Sequence, residues 1–115
     1  LMQADTYQRR AARVGFDWPD LSGVKAKVHE EIGEIEALTD ETRREEEIGD
    51  LFFAVVNLAR WLEVDPESAL RRANAKFAAR FAKVEAAVKA QGQEVSALPL
   101  EELDRLWEEA KRSEE

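Results

Sequence analysis

Cysteine is absent from this 115-residue chain, and proline, glycine and histidine are scarce, at three, five and one copies. Without cysteine, neither disulfides nor thiolate metal sites can form, which makes the cytoplasm the expected location. Few prolines and glycines argue against a disordered or turn-rich chain. The longest apolar run, Leu51–Val56, is far too short to span a membrane. We therefore expect a globular protein without a membrane partner.

Positive charge is also in short supply. The chain has 17 Lys and Arg residues against 25 Asp and Glu residues, so its formal net charge is −8. Such a chain has no general attraction for a polyanion, which argues against a nucleic-acid partner. A phosphate-bearing substrate would have to be drawn in locally, by a cation on clustered carboxylates or by a few placed Lys and Arg residues.

Helix-forming residues dominate the composition of the chain, and its apolar residues recur at helical spacing. Start and stop signals divide the chain into five predicted helices, which run from about residue 4 to Val14, from Leu21 to about Leu38, from Glu41 to about Leu62, from Pro66 to about Gly92, and from Pro99 into the charged tail Lys111–Glu115. No strand pattern is evident. We predict an all-α helical bundle, folded as a single domain over residues 1–115 that could also be a fragment of a tandem-domain protein.

Apolar stripes predict which helix faces are buried. These stripes comprise Tyr7, Ala11 and Val14 in the first helix, and Leu70, Ala73, Phe77, Phe81, Val84 and Val88 in the fourth. The third helix is apolar on nearly all sides after Asp50, so we expect it to be buried all round. A chain of this size covers such a helix more easily with a second subunit, so we expect at least a homodimer that completes the bundle.

Two helices carry carboxylates at spacings that place them on common faces. Glu30, Glu31 and Glu34 lie on the second predicted helix, and Glu47 and Asp50 lie on the third. A short link makes these helices antiparallel neighbours, so the two groups can meet. Glu31 falls within an apolar stripe and Asp50 precedes an apolar run, so we expect both to be partly buried. Oxygen ligands without His or Cys favour Mg²⁺ or Mn²⁺, although spacing alone leaves a solvated acidic face as an equally good interpretation.

A ferritin-like di-iron site is excluded by the same region of sequence. Such a site needs Glu-x-x-His pairs, whereas the residue three positions before His29, the sole histidine, is Ala26. No second nitrogen donor exists to share a metal with His29, so we interpret it as an ordinary helix residue.

Residues that suit a nucleotide lie further along the chain. Lys76 and Arg80 are spaced i, i+4 on the fourth predicted helix, as are Trp107 and Lys111 on the fifth. Near a bound metal ion, the cations would hold phosphate oxygens and the indole could stack on a base. Solvated cations and a core tryptophan are the alternative interpretation. Asn57 interrupts an apolar helix and needs a partner, which could be a ligand carboxylate, a bound sugar or a backbone group.

Five segments occur in an order typical of one known family: Arg10 to Trp18 (RAARVGFDW), Glu30-Glu-x-x-Glu34, Glu46 to Arg60, Ala73 to Phe81, and Trp107-x-x-x-Lys111. Together they closely resemble the C-terminal domain of MazG proteins. The resemblance implies an all-α enzyme that cleaves nucleoside triphosphates between the α and β phosphates and releases a nucleoside monophosphate and pyrophosphate. It also implies broad specificity and a role in nucleotide-pool housekeeping.

The resemblance implies residue roles as well. The family's metal ligands fall on Glu30, Glu31, Glu34, Glu47 and Asp50, and its nucleotide-contacting positions fall on Lys76, Arg80, Trp107 and Lys111. We expect Asn57 to contribute to substrate binding. We also expect a metal-activated water to attack the α-phosphorus, with Lys76 and Arg80 offsetting the developing charge. Glu31 and Glu34 are the expected catalytic carboxylates, and Glu34 is the candidate that accepts the proton of the water.

Other functions are compatible with parts of this pattern. Within the same superfamily, the alternatives are a phosphoribosyl-ATP pyrophosphohydrolase and an all-α dUTPase, but the Phe16-Asp17-Trp18 and Asn57-Leu-Ala-Arg60 runs look like MazG. From a different class, the chain could be a catalytically silent helical dimerisation module of a larger MazG protein. The intact set of ligands disfavours that alternative.

Overall fold

The computed structural model describes residues 1–114, and the regular secondary structure in that range is all helical, with no strand. The helices are α1 (Met2–Arg13), α2 (Leu21–Glu36), α3 (Arg44–Trp61), α4 (Pro66–Ala90) and α5 (Leu100–Arg112), with 3-10 turns at Glu41–Arg43 and Val95–Ala97. The all-α prediction and its five helices are confirmed. Glu115, the last residue of the predicted charged tail, lies outside the described range.

The helix ends follow from local chemistry. Gly15, with φ of +90°, follows the end of α1, and Gly92, with φ of +70°, follows the end of α4. Both adopt the left-handed conformation that glycine tolerates best. Asp65 accepts a hydrogen bond from the Ser68 hydroxyl at 2.6 Å just before α4 begins, which confirms the predicted start. The third predicted helix is divided, because Asp40 accepts a hydrogen bond from the Thr42 amide and stabilises one 3-10 turn before α3.

The chain forms two compact units, the first comprising residues 1–69 and the second beginning at residue 70. In the first unit, α2 and α1 each pack against α3. Val24, Ala54 and Val56 are its buried apolar residues. No helix within residues 1–114 is long and apolar enough to cross a membrane.

The predicted buried stripe of α1 is wrong. Tyr7 is 54% exposed and Val14 is 84% exposed, whereas the buried residue of this helix is Gln8. Val14 lies beyond the last helical residue, and the Gln8 amide faces α3, where it donates a hydrogen bond to the backbone oxygen of Phe53 at 2.9 Å. A polar residue therefore occupies the packed face of α1.

A single chain does not bury α3 on all sides, and burial of the rest by a second subunit stays a prediction. Ala54 and Val56 are buried, but Phe52 is 58% exposed and Val55 is 44% exposed. Ile48 and Leu62 are exposed as well. Because α1 and α2 contact α3 without enclosing it, one apolar side of the helix is left open.

The second unit has its own core, formed by Val84, Val88 and Leu106. The stripe predicted for the fourth helix is buried only in this half, because Leu70 and Phe77 are exposed. The difference arises because α5 covers the C-terminal half of α4 through Leu106. The predicted stripe is therefore half correct.

Candidate functional site

Three carboxylates meet where α2 packs against α3. Glu31 and Glu34 from α2 and Glu47 from α3 each contribute a carboxylate oxygen, and these oxygens all lie within 4.8 Å of one another. The i, i+3 spacing places the two α2 residues on one helix face. Glu31 is 3% exposed and Glu47 is 7% exposed, whereas Glu34 is exposed. The structure thus brings together three of the five predicted metal ligands, which we call the acidic cluster.

Two oxygens of the acidic cluster lack hydrogen-bond donors. Oε2 of Glu31 and Oε2 of Glu47 are buried, and no donor among residues 1–114 reaches them. A buried carboxylate oxygen without a donor or a cation is costly. A divalent cation would supply the missing charge, and a set of hard oxygen ligands suits ions such as Mg²⁺. The residues present therefore fit a metal of that class.

Crowding in the acidic cluster raises the pKa of Glu34. The main cause is a hydrogen bond with the Glu47 carboxyl group, and the negative charge of Glu31 adds to the effect. Two carboxyl groups share a hydrogen bond only when one of them holds a proton. Without a cation, the crowded negative charge therefore favours the protonated form of Glu34 over its charged form.

Lys27 lies one turn before Glu31 on α2 and pairs with the acidic cluster. Its Nζ is 2.9 Å from Glu31 Oε1 and 3.4 Å from Glu30 Oε1. The hydrogen bond to Glu31 is the largest cause of the raised pKa of Lys27. Lys27 satisfies one Glu31 oxygen and leaves the other without a donor, so it offsets only part of the negative charge.

The other two predicted ligands lie outside the three-carboxylate group. Glu30 is exposed and pairs with Lys27. Asp50 is exposed rather than partly buried as expected, because the apolar side of α3 beside it is itself open. Asp50 nevertheless lines the cleft described next, together with Glu31. That Glu30 and Asp50 act as metal ligands stays a prediction.

A cleft of about 730 Å³ lies within the first unit, and Glu31 forms part of its wall. Aromatic side chains supply much of the lining, namely Tyr7, Phe16, Trp18 and Phe53. Polar groups come from Gln8, Asp17, Lys27, Asn57 and Arg60. This size, with apolar walls and a few polar groups, is typical of a small-molecule site.

The loop between α1 and α2 is held against α3 by Asp17. Its carboxylate accepts two hydrogen bonds from the Arg60 guanidinium, at 2.6 and 3.1 Å, and the Arg60 side chain is only 10% exposed. The backbone N–H of Trp18 and the indole N–H of Trp61 also donate to it. These donors, Arg60 first, lower the pKa of Asp17. A bidentate ion pair of this kind fixes geometry as well as adding stability.

The same loop is held from the side of α2. Asp20 caps α2 by accepting a hydrogen bond from the Gly23 amide at 2.9 Å. The Trp18 ring lies over Gly23, where a Cβ atom would be 3.1 Å from ring carbon Cε3. The contact depends on the missing side chain at position 23. The aromatic wall of the cleft is thus fixed to both α2 and α3.

Asn57 is half-buried on α3 and lines the cleft. Its Oδ1 accepts a hydrogen bond from Arg60 at 2.9 Å. A guanidinium group was not among the partners that the sequence analysis considered. Arg60 therefore links Asn57 to Asp17.

The predicted phosphate-binding residues belong to the second unit, which we describe by itself. Arg80 lies over the Trp107 ring, with Cζ 5.8 Å from the ring centroid. Arg80 also forms an ion pair with Glu114 at 3.0 Å. That pair is the largest cause of the lowered pKa of Glu114, and the charges of Lys83 and Lys76 add to it. This cationic patch, Lys76, Arg80 and Lys83, is therefore able to hold an anionic group.

Trp107 packs against the core of the second unit, and its stacking on a base stays a prediction. Its ring lies 5.3 Å from the Phe77 ring. It is only half-buried, and its other contact is with Arg80. Lys111 is exposed one turn later on α5, so its role in binding a nucleotide stays a prediction.

Several residues of the site escaped the sequence analysis. Lys27 was detectable, because its i, i+4 spacing from Glu31 is that of a helical ion pair. Gln8 gave no signal, since a glutamine in a polar helix is unremarkable until its burial is known. The Asp17–Arg60 pair joins residues 43 positions apart, and nothing local indicates it.

These features define an all-α protein with a carboxylate cluster suited to a divalent cation. Residues 21–85 match the family described as the MazG nucleotide pyrophosphohydrolase domain. The chain belongs to this MazG family, as the sequence analysis predicted. MazG pyrophosphohydrolases generally use divalent metals, with which the acidic cluster is consistent.

Individual relatives agree with the family assignment. The chain is 48% identical over its whole length to the nucleoside triphosphate pyrophosphohydrolase/pyrophosphatase MazG of Thermotoga maritima, covering 45% of that protein. It is 47% identical, over 99% of its length, to the nucleoside triphosphate pyrophosphohydrolase of Escherichia coli K12, again covering 45% of the relative. A third relative, the uncharacterized protein YabN of Bacillus subtilis, is 46% identical over 59% of this chain, which is 14% of its own length. The chain therefore spans less than half the length of these curated relatives.

Proposed function

We propose that this chain hydrolyses nucleoside triphosphates between the α and β phosphates, giving a nucleoside monophosphate and pyrophosphate, with Mg²⁺ as cofactor and Mn²⁺ as a possible substitute. The observation that carries the proposal is the pair of buried, donor-less oxygens on Glu31 and Glu47 in a member of the MazG family. Glu31 also lines the cleft of about 730 Å³. We place this activity in the cytoplasm, in nucleotide-pool housekeeping, without a nucleic-acid partner.

Glu31, Glu34 and Glu47 would hold the metal, with Asp50 and Glu30 as further ligands. When bound, the ion neutralises phosphate charge and makes a water molecule more acidic. Burial of Glu31 and Glu47 fixes their carboxylates, so they are suited to permanent coordination. Glu34 is exposed to solvent, which suits it to accept the proton of the attacking water, with Glu31 orienting the cluster.

Lys76 and Arg80 would hold phosphate oxygens and offset negative charge that develops as the bond breaks. The Arg80–Glu114 ion pair supports this role, because a guanidinium that holds a carboxylate in a forked contact can hold a phosphate in the same way. Trp107 would present its face to the substrate, and Lys111 would add a further positive charge. Asn57 would contact the nucleoside in the cleft.

Both compact units would belong to one domain over residues 1–115, within a longer protein or alone. The family match supports this, because residues 21–85 run across the division between the units. We also propose at least a homodimer. Ile48, Phe52 and Val55 recur on α3 at helical spacing and are exposed, as is Leu62 directly after the helix. A second copy of this helix would cover such a seam.

The experiment that tests the activity is incubation of the pure chain with several ribo- and deoxyribonucleoside triphosphates and Mg²⁺, followed by identification of the products. Monophosphate and pyrophosphate support the proposal, whereas diphosphate and phosphate contradict it. A panel of canonical and modified triphosphates compared by kcat/KM would then define base and sugar preference. If no triphosphate is cleaved by a folded, metal-binding chain, the alternative of a silent dimerisation module gains support.

A further inference from the structure

Two side-chain amides in the cleft each use one of their two polar atoms in a hydrogen bond to the protein. The first is Gln8, which is 5% exposed. Its Nε2 donates a hydrogen bond to the backbone oxygen of Phe53 at 2.9 Å, while its Oε1 is buried without a donor among the described residues. Because Phe53 offers only an acceptor at this point, the amide cannot turn over without losing its bond. Gln8 therefore presents an acceptor in the cleft wall.

The second amide, that of Asn57, is fixed the opposite way round. Its Oδ1 accepts a hydrogen bond from Arg60, and a guanidinium carries only donors. If the amide were flipped, its N–H groups would face the N–H groups of Arg60. Arg60 is itself held by two hydrogen bonds to Asp17. With Oδ1 engaged by Arg60, Nδ2 is the other polar atom of the amide, so Asn57 presents a donor.

We propose that Gln8 and Asn57 are the specificity-determining residues for the nucleoside: Gln8 accepts a hydrogen bond from the nucleobase and Asn57 donates one to it. The proposal rests on the proposed function, since it names how the substrate of that site is recognised. The aromatic lining of the cleft supplies the surface for a flat heterocycle. Asp17 and Arg60 are positioning residues, because they fix the orientation of the Asn57 amide.

A fixed donor and a fixed acceptor discriminate between ligands, whereas amides that turn freely do not. A buried acceptor such as Gln8 Oε1, left without a donor, costs free energy that a matching ligand recovers. Nucleobases carry both donors and acceptors on their edges, so one of each in the wall accommodates several bases. A pocket of this design favours nucleobases as a class over sugars or plain phosphates.

The test is binding of nucleosides without phosphate or metal, followed by ¹⁵N NMR of the side-chain amides. Adenosine and thymidine are the probes, with ribose 5-phosphate and inorganic tripolyphosphate with Mg²⁺ as comparisons. In the native chain, we expect nucleosides to shift the Asn57 Nδ2–H resonances. Gln8→Met and Asn57→Asp each remove one contact and should weaken nucleoside binding roughly five- to tenfold. Binding of tripolyphosphate should stay within about twofold of the native value, as it lacks the group that these amides contact.

Asp17→Asn separates positioning from contact. It should weaken nucleoside binding by roughly two- to fivefold and should shift the Asn57 amide resonances even without ligand, which a merely structural change elsewhere would not do. Gln91→Met, at an exposed turn after α4, is the matched control for Gln8→Met and should bind like the native chain. Thermal melting identifies any variant that fails to fold, and Asn57→Asp then still decides the question.

The proposal is overturned if Asn57→Asp binds adenosine and thymidine as tightly as the native chain, or if nucleosides leave the Asn57 resonances unmoved. Equal losses for ribose 5-phosphate would overturn the assignment to the base. The experiment involves no turnover, so failure of hydrolysis and failure of base recognition give different results. A chain that binds nucleosides through these amides but cleaves no triphosphate would disprove only the proposed activity.

Discussion

The two units of this protein each contain a cluster of charged side chains, and the two clusters have opposite sign. In the first, three carboxylates crowd together, two of their oxygens are buried without donors, and Lys27 pairs with one of them. In the second, the cationic patch of Lys76, Arg80 and Lys83 surrounds a carboxylate, Glu114. The acidic cluster of the first unit has too few donors for its carboxylate oxygens, and the cationic patch of the second has donors for an anion. A metal ion would complement the acidic cluster, and a phosphate group would complement the cationic patch.

The largest effect should come from breaking the acidic side of this comparison. Glu47→Gln removes one buried carboxylate, so metal affinity should fall by more than roughly a hundredfold, beyond the loss expected for a residue that only supports a ligand. Pyrophosphate release should fall with it. The metal-free protein should melt at a higher temperature, because repulsion in the cluster is relieved.

Calorimetry with Mn²⁺ and thermal melting measure these two effects of Glu47→Gln. Glu36→Gln, exposed at the end of α2, is the matched control and should change neither. Unchanged metal binding in Glu47→Gln would show that the acidic cluster is a structural feature.

Breaking the cationic side should have the next largest effect. Arg80→Lys keeps the charge but loses the forked contact seen with Glu114, so kcat/KM should fall by roughly tenfold to a hundredfold. Metal binding by the acidic cluster should be unaffected. Lys89→Arg, exposed near the end of α4, serves as the control, and equal kcat/KM in all three proteins would contradict a phosphate-binding role for Arg80.

A smaller effect is expected for Lys27, the cation beside the acidic cluster. Lys27→Met removes the ammonium group that lies 2.9 Å from Glu31 and competes with a metal for that oxygen. Metal affinity without nucleotide should therefore rise about threefold to tenfold, a modest change because Lys27 is partly exposed and its charge is screened. Calorimetry with Mn²⁺ measures this affinity as well, and Lys25→Met is the control. Weaker metal binding in Lys27→Met would mean that Lys27 positions Glu31 instead of competing with the metal.

The smallest effect concerns pH and the loop of the first unit. Arg60 lowers the pKa of Asp17 below its ordinary value of 3.8. The stabilisation is therefore complete above that value and is lost as the pH falls through the lower pKa of the folded state. Asp17→Asn should be less stable at pH 7 and should lose less stability than the native chain on acidification below 3.8. Urea unfolding at several pH values measures the difference, and parallel curves would contradict it.

The sequence predicted what is encoded locally. The start of α4 at Pro66 follows from Asp65, and the end of α1 follows from Gly15, since each depends on neighbouring residues alone. Three predicted ligands meet because Glu31 and Glu34 share a helix face and the link to Glu47 is short. The family resemblance was confirmed because it used the order of motifs along the whole chain.

What could not be predicted depends on which surfaces face each other. Gln8 is buried and Tyr7 beside it is exposed, because the orientation of α1 about its own axis decides which residue faces α3. The contact between Asp17 and Arg60 spans 43 residues. The exposure of Phe52 and Val55 likewise depends on how much of α3 its neighbours cover, which periodicity does not reveal.

A substitution at Gly23 could change the shape of the cleft although no residue of the cleft wall is replaced. A methyl group at this position would lie 3.1 Å from the Trp18 ring, so the ring would have to move. Gly23 itself is not part of the lining. Substitutions at a single helix position behind the cleft would therefore alter the shape of the space offered to a base. Divergence of substrate preference among such proteins can begin at a residue that never touches the substrate.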